Sequence, residues 1–127
     1  MLLRFTVDNV LCFGTETIFS MVATADEAHP NHVIKKSEGE PARVLRAAAL
    51  YGANAHGKTR LVEALGLLKT LVTEGTRPQK KLPIKPFRLS AKCMSKPSRF
   101  EILFHHKGVY YDYGLVADCD YVHEEWL

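Results

Sequence analysis

Apolar and polar residues alternate near the start of the chain, and a polar stretch then separates this region from an apolar run. Leu3–Val7 alternates like a half-buried strand, and Thr17–Ala23 is predicted to be its hairpin partner. The stretch 24–41 is polar and rich in turn-forming residues, which indicates a surface loop. Val44–Tyr51 is apolar, as expected for the central strand of a parallel sheet.

Helical periodicity follows this run. Within Arg60–Val72 the apolar side chains recur at helical spacing, and Gly75 is a plausible stop signal. Arg77–Lys85 is predicted to be a basic loop, and Phe87–Leu89 a short strand. The predicted buried stripe of the helix consists of Leu61, Ala64, Leu65, Leu68 and Val72.

Strand-like alternation returns in the last third of the chain. The segments Arg99–His105, Val109–Ala117 and Tyr121–Leu127 predict an antiparallel meander, with a turn at Lys107-Gly108. The predicted fold class is therefore α/β, with a β-hairpin in residues 1–23, a strand–loop–helix unit in 44–73 and a β meander in 86–127.

Composition limits the classes of protein. A chain of 127 residues with 46% apolar and 24% charged residues fits one small globular domain, and a net charge of +3 is too mild to indicate nucleic-acid binding by itself. No apolar stretch approaches the length of a membrane span, and charges interrupt the apolar start, so no signal peptide is predicted. The three cysteines are odd in number and widely spaced, which favours a reducing, cytoplasmic location.

Between the predicted strand and helix, residues 52–59 complete the pattern G-x-x-x-x-G-K-[ST]. Gly52 and Gly57 allow the loop to close around an anion, and the backbone N–H groups of the loop and of the first helical turn carry partial positive charge. Lys58 adds a full charge near the β- and γ-phosphates and is the candidate catalytic residue, while the Thr59 hydroxyl is the candidate ligand of Mg²⁺. The predicted nucleotide-binding residues are Gly52, Ala53, Asn54, Ala55, His56, Gly57, Lys58, Thr59 and Arg60.

Several blocks together resemble one family. The chain is similar to the N-terminal part of an ABC-type ATPase head, and most similar to the AAA15 family, relatives of the RecF, SMC, Rad50 and OLD-type proteins. The blocks that carry the resemblance are Asn9, Phe13, Glu16–Ala23, Tyr51–Thr59, Leu61–Leu65, Pro86–Leu89, Pro97–Glu101, Tyr111–Gly114 and Glu124–Leu127. The resemblance implies ATP and Mg²⁺ as cofactors, dimerisation of heads on ATP binding, and a role in defence against phage or in DNA repair.

The sequence also departs from this family. His56 stands where a small residue is usual, Arg60 replaces Asn or Ser, and the basic residue usually found soon after Asn9 is missing. A second strand ending in Asp-Glu and a Ser-Gly-rich signature motif are absent; Leu115–Asp118 imitates the first but is followed by Cys119, which favours a plain strand end. The simplest expectation is an N-terminal piece of a longer ATPase.

The remaining groups of histidine, cysteine, tyrosine and basic residues are predicted to have ordinary structural or surface roles. The pairs His29/His32, His105/His106 and Cys119/His123 lack the repeated, convergent spacing of a zinc site. Tyrosines in the meander are explained by strand propensity, and Gln79 lies too early to be the Q-loop of such heads. The basic residues Arg77, Lys80, Lys81, Lys85 and Arg88, with Phe87, could track a nucleic-acid backbone, although solvated loop charge is the simpler interpretation.

Two main hypotheses follow. The first is an ATP-binding ABC-type head that forms a homo-oligomer, hydrolyses ATP once downstream motifs and a partner head are supplied, and acts with a nuclease or toxin partner or with DNA. The second is a non-hydrolysing, nucleotide-sensing scaffold for such a partner, which His56 and the missing carboxylates favour. A kinase-type enzyme is a third, for which no acceptor site or lid is visible in the sequence.

Overall fold

The computed structural model describes residues 1–26, 28–34, 43–76 and 80–127. Its main feature is a five-stranded sheet with the order β2-β1-β5-β6-β7, in which every neighbouring pair is antiparallel. A separate two-stranded sheet pairs β3 with β4. The strands are β1 (Leu2–Asp8), β2 (Thr17–Ser20), β3 (Val33–Ile34), β4 (Val44–Leu45), β5 (Ser98–His106), β6 (Val109–Ala117) and β7 (Val122–Trp126).

Two α-helices and a 3₁₀ turn complete the described elements: α1 (Lys58–Glu74), α2 (Ala91–Met94) and Pro30–His32. The long helix α1 packs its apolar stripe on the inner face of the five-stranded sheet. Ala64, Leu68 and Leu71 of the helix are buried against a cluster that includes Phe5 and Phe100 of the sheet. Burial of each large apolar side chain stabilises the fold by about 1.5–3 kcal/mol, so this contact is what holds α1 on the sheet. The predicted stripe is wrong at one position, because Val72 is 53% exposed and Leu71 is buried instead. No helix in the described part of the chain is long and apolar enough to cross a membrane.

The hairpin and the meander belong to one sheet. Strand β1 pairs with β5 through partners that include Val7↔Phe100 and Phe5↔Ile102, so the first and last thirds of the chain share a face. Val7 and Phe100 are both fully buried there. The sequence predicts the hairpin and the meander, and both form, but alternation within each segment carries no information about which segments pair.

Asn9, at the end of β1, fastens two distant segments to the sheet. Its Nδ2 donates to the carbonyl oxygens of Cys93 at 2.7 Å, Lys96 at 2.9 Å and Pro97 at 3.3 Å. Its Oδ1 accepts from the Phe87 backbone N–H at 3.1 Å, and its own carbonyl accepts from the Ser98 hydroxyl at 2.6 Å. The residue has a positive φ of 55°, which asparagine tolerates better than most residues.

The prediction of a buried parallel strand at Val44–Tyr51 is wrong. Only Val44–Leu45 is a strand, and it pairs antiparallel with β3. Residues 46–51 are exposed and outside any strand, and Tyr51 is 92% exposed. The central strand of a parallel sheet needs neighbours on both sides. Among the described residues, the Arg46 N–H still donates to the His32 carbonyl at 2.9 Å, but no strand pairs with residues 47–51.

Smaller departures occur elsewhere. Phe87–Leu89 forms a turn instead of the predicted short strand, since the Phe87 N–H is taken by Asn9. Within the predicted surface loop 24–41, the described part contains the 3₁₀ turn and β3, and residues 27 and 35–41 lie outside the described residues. Strand β2 ends at Ser20, short of the predicted Thr17–Ala23. Beyond it, the Met21 N–H donates to the Leu3 carbonyl at 2.8 Å, and an isolated bridge joins Val22 to Val44.

Candidate phosphate-binding site

The glycine loop 52–59 lies where α1 begins. Gly57 occupies the position before the first helical residue with φ 85°, and its carbonyl accepts the N–H of Leu61 at 3.0 Å. A side chain is strained at that φ, and a Cβ there would also come within 3.1 Å of the Cys12 sulfur. The second glycine of the pattern is therefore required by backbone conformation and by the approach of the turn after β1.

Lys58 folds back across this loop. Its Nζ donates to the carbonyl oxygens of Gly52 at 2.6 Å and Ala53 at 2.8 Å. The ammonium group thus lies inside the curve of the loop, over its first two residues. A full positive charge therefore lies at the first two residues of the loop that leads into α1.

The electrostatic setting of the loop favours an anion. No acidic residue lies in the first turn of α1, so the partial positive charge of the helix N-terminus is not offset there. One turn further on, Arg60 and Glu63 pair with Nη1 and Oε2 2.6 Å apart, and both side chains are largely exposed. Arg60, directly after the loop, therefore has its ion-pair partner on α1 itself.

His56 and Asn54 form the outer edge of the loop. His56 Nδ1 lies 3.0 Å from the carbonyl oxygen of Asn54, and both residues are exposed. Ala55 between them has a positive φ of 64°. The imidazole is therefore directed at its own loop backbone, which places a bulky group at the position where a small residue is usual in the resembled family.

A cavity of 460 Å³ adjoins the loop and was not predicted from the sequence. The turn after β1 forms one wall, and the backbone N–H of Leu11 donates to the Lys85 carbonyl at 2.8 Å. Arg60, Lys85 and Arg88 give this cavity a positive lining. The remaining lining residues are Leu11, Cys12, Pro86, Phe87 and Leu89.

The structure divides the predicted basic cluster. Lys85 and Arg88 line the cavity beside the loop at the start of α1. Lys80 and Lys81 line a different cavity, together with Glu74, at the C-terminal end of α1. Lys81 Nζ is 3.3 Å from Asp120 Oδ1. The described residues therefore do not form one continuous basic track, while Arg77 and Gln79 lie outside the described residues.

Asp118 follows β6 directly, as the strand-end interpretation predicts, and belongs to a polar turn at the far end of α1. Leu82 N–H donates to the Cys119 carbonyl at 2.8 Å, which ties this turn to the segment that closes the end of the helix. The pKa of Asp118 lies below its usual value, chiefly because of the hydrogen bond with His123 and also because two backbone N–H groups bind its carboxylate. Since α1 has 17 residues and extends roughly 25 Å, Asp118 is not placed to ligate Mg²⁺ at Thr59.

The predicted histidine pairs are distributed over the surface. The rings of His29 and His32 stack with centroids 5.3 Å apart, and the rings of His105 and Tyr110 lie tilted by 34° with centroids 4.6 Å apart. His123 is different, because its Nε2 lies 2.7 Å from Asp118 Oδ2, next to Cys119. Asp118 and Asp120 flank Cys119 in the sequence itself, but the prediction for the Cys119/His123 pair did not include them.

Comparison with known proteins adds one match. Residues 47–127 match the sequence model of the family described as "AAA domain, putative AbiEii toxin, Type IV TA system". The matched region contains the glycine loop, α1 and the whole meander, and it spans more than half of the chain. No curated protein and no solved structure matches the chain.

Proposed function

Because the chain belongs to the family described as "AAA domain, putative AbiEii toxin, Type IV TA system", we propose that it binds ATP with Mg²⁺ on the loop 52–59. The observation that carries this proposal is the position of Lys58, whose ammonium lies within the loop at the N-terminus of α1. Backbone N–H groups, a helix N-terminus and a lysine ammonium in one place form the chemistry that binds a polyphosphate.

Each part of the loop is proposed to make a different contact with Mg-ATP. Gly52 to Gly57 supply the backbone that surrounds the phosphates, and Lys58 neutralises the β- and γ-phosphates. Thr59, exposed at the first turn of α1, supplies the hydroxyl that ligates Mg²⁺. Arg60, directly after the loop, adds a further positive charge and pairs with Glu63 on the same helix.

At a finer level, we propose an ABC-type ATPase head similar to the AAA15 family, which dimerises when ATP binds. Hydrolysis would need a carboxylate beside Mg²⁺ and a signature motif from a partner head, with Lys58 contributing to transition-state charge stabilisation. The family description names a toxin of a toxin–antitoxin system, which supports a role in defence against phage with a toxin or nuclease partner, and DNA is a further candidate partner.

The second candidate function is a nucleotide-sensing scaffold without turnover. Two observations favour it: His56 occupies the edge of the loop, and Asp118 lies at the opposite end of α1 from Thr59. In this case ATP would bind and change the partner-binding surface, and no phosphate would be released.

Substitution of Lys58 by alanine tests the binding site. Lys58→Ala removes charge-assisted hydrogen bonds worth about 1.5–3 kcal/mol each, so we expect affinity for Mg-ATP to fall by at least about 10- to 100-fold. Isothermal titration calorimetry of the intact protein measures this directly. Lys69→Ala, an exposed lysine further along α1, is the matched control and should bind as the unmodified protein does.

Measurement of ATP hydrolysis distinguishes the two candidate functions. Equal affinities of Lys58→Ala and Lys69→Ala would contradict the site itself. If binding is lost as expected, phosphate release by the intact protein above the Lys58→Ala background supports the ATPase. Tight binding without phosphate release supports the scaffold.

A further inference from the structure

The side chain of His56 has a defined position within the loop 52–59, although it is exposed. The His56 N–H donates to the Ala53 carbonyl at 3.4 Å and closes a turn in which Ala55 has a φ of 64°. The imidazole ring turns back toward the same segment, since its Nδ1 lies 3.0 Å from the Asn54 carbonyl oxygen. Backbone and ring are therefore both bonded to the loop that is proposed to surround the phosphates.

His56 also lies beside the residue that binds the ammonium group of Lys58. A Cβ added to Gly52 would be 3.9 Å from the Cβ of His56. The Gly52 carbonyl accepts a hydrogen bond from Lys58 Nζ at 2.6 Å. The imidazole and the ammonium thus both lie next to Gly52, in the part of the loop proposed to hold the β- and γ-phosphates.

The contact with Asn54 decides which ring nitrogen of His56 carries a proton. A carbonyl oxygen only accepts hydrogen bonds, so Nδ1 is the protonated nitrogen. In the neutral ring Nε2 is then an acceptor, whereas in the imidazolium it is a donor and the ring carries a full positive charge. Protonation therefore changes the charge of the ring and the role of Nε2, and the bond to Asn54 stays in place.

The charges around the loop leave a bound phosphate as the partner that favours the imidazolium. The charged and titratable groups of the loop and of the neighbouring elements are Lys58, Arg60, Glu63, Cys12, Lys85 and Arg88. Glu63 is already paired with Arg60. Among the described residues, no hydrogen bond or ion pair joins His56 to a carboxylate. A negatively charged ligand on the loop would therefore supply the charge that these neighbours do not.

We propose that protonation of His56 strengthens the binding of Mg-ATP to the loop 52–59, a role that rests on the proposed function of this loop. Mg-ATP carries a net negative charge, so it interacts more favourably with the imidazolium than with the neutral ring. Histidine is the side chain that ordinarily changes its charge between about pH 5 and 8. Because the bound form favours the protonated ring, binding takes up a proton and the affinity rises as the pH falls through this range.

Isothermal titration calorimetry of the intact protein with Mg-ATP, at about pH 6 and about pH 8, tests this role. We expect the dissociation constant of the unmodified protein to be about three- to tenfold lower at the acidic pH. His56→Asn keeps a side-chain N–H near the position of Nδ1 but does not titrate, so only the dependence that Mg-ATP itself brings should remain. His32→Asn, at an exposed histidine outside the loop, is the matched control and should keep the full dependence.

The same titrations measure proton uptake when they are repeated in buffers with different enthalpies of ionisation. Near neutral pH the unmodified protein should take up a larger fraction of a proton per bound nucleotide than His56→Asn. Circular dichroism shows whether the variant folds, and His56→Gln is a second variant that does not titrate.

The outcomes separate the role of His56 from the binding site itself. Equal pH dependence and equal proton uptake in the unmodified protein and the folded variants would overturn the role of His56 and leave the site in place. Absence of Mg-ATP binding at both pH values would contradict the proposed function, and the role of His56 with it.

Discussion

Asn9 shows how much a single side chain can hold in this fold. Its amide binds carbonyl groups 84 to 88 residues away and the Phe87 N–H 78 residues away. In the sequence it is only the polar residue that ends a strand. The resemblance to a family drew attention to Asn9, Pro86–Leu89 and Pro97–Glu101 as separate blocks, and the structure explains them as one bonded unit.

Replacement of this side chain should therefore weaken the fold. Asn9→Ala leaves three partly buried carbonyls and an N–H without their partner, and we expect it to lower the free energy of unfolding by about 2–4 kcal/mol. Urea denaturation followed by circular dichroism measures the change. Asn31→Ala, at an exposed asparagine, should change it by less than about 0.5 kcal/mol. A similar small effect at both positions would contradict the anchoring role of Asn9.

Individual site residues were predictable to different degrees. The motif brings residues 52–59 together by sequence alone, because all of them belong to one loop, although their role as nucleotide ligands remains a prediction. Cys12 and Lys85 could not be found in this way. They reach the loop only through the packing of the turn after β1, and no local pattern encodes that contact.

At the scale of elements, periodicity predicted the helices and strands whose pattern is contained within a single segment of the chain. The helix was expected at 60–72 and is observed at Lys58–Glu74, and the three strands of the meander form where alternation indicates them. The run Val44–Tyr51 failed because apolar character shows that a segment can be buried but not what lies beside it. Pairing partners come from elsewhere in the chain and leave no local signature.

The contact between β6 and β7 allows a sharp test. Trp126 lies directly over Gly114, where an added Cβ would fall 1.8 Å from Cζ2 of the indole. We expect Gly114→Ala to displace the ring, remove its contact with the Arg99 guanidinium and destabilise the fold by about 1–3 kcal/mol. Trp126 is the only tryptophan, so its fluorescence should shift to longer wavelength.

Gly66→Ala is the matched control. Gly66 lies within α1 with open space where an added Cβ would lie, and alanine should stabilise the helix by about 0.5–1 kcal/mol. Unchanged fluorescence and stability in Gly114→Ala would show that Trp126 does not rest on Gly114 in solution.

At the scale of the whole molecule, one apolar groove is left open between α1 and the sheet. It has a volume of 710 Å³, and Leu65 and Leu68 face Ile102 and Phe104 across it. Val62 on its rim is 66% exposed. The sequence predicted most of the stripe that packs under α1, but not Leu71, which is buried where Val72 was expected. The extent of the uncovered side depends on the final position of the helix.

An open apolar groove of this size should bind hydrophobic probes. We expect the 127-residue chain to enhance the fluorescence of anilinonaphthalene sulfonate, and Val62→Lys to reduce that signal several-fold. Val109→Lys, at the exposed first residue of β6, should not reduce it. An equal signal from both variants would mean that the dye binds elsewhere.

The two hydrogen bonds of Lys58 to its own loop have a consequence for selectivity. To bind the Lys58 ammonium, a phosphate group must replace its hydrogen bonds to the carbonyls of Gly52 and Ala53. The contribution of Lys58 to the binding free energy is therefore the difference between its bonds to phosphate and its bonds to these carbonyls. Weakly charged ligands offer little advantage over two carbonyl oxygens, whereas a polyphosphate with its Mg²⁺ engages the lysine, the loop and the helix N-terminus at once. Because Lys58 already has partners in the loop, we expect the loop to select ligands with a high negative charge over weakly charged ones.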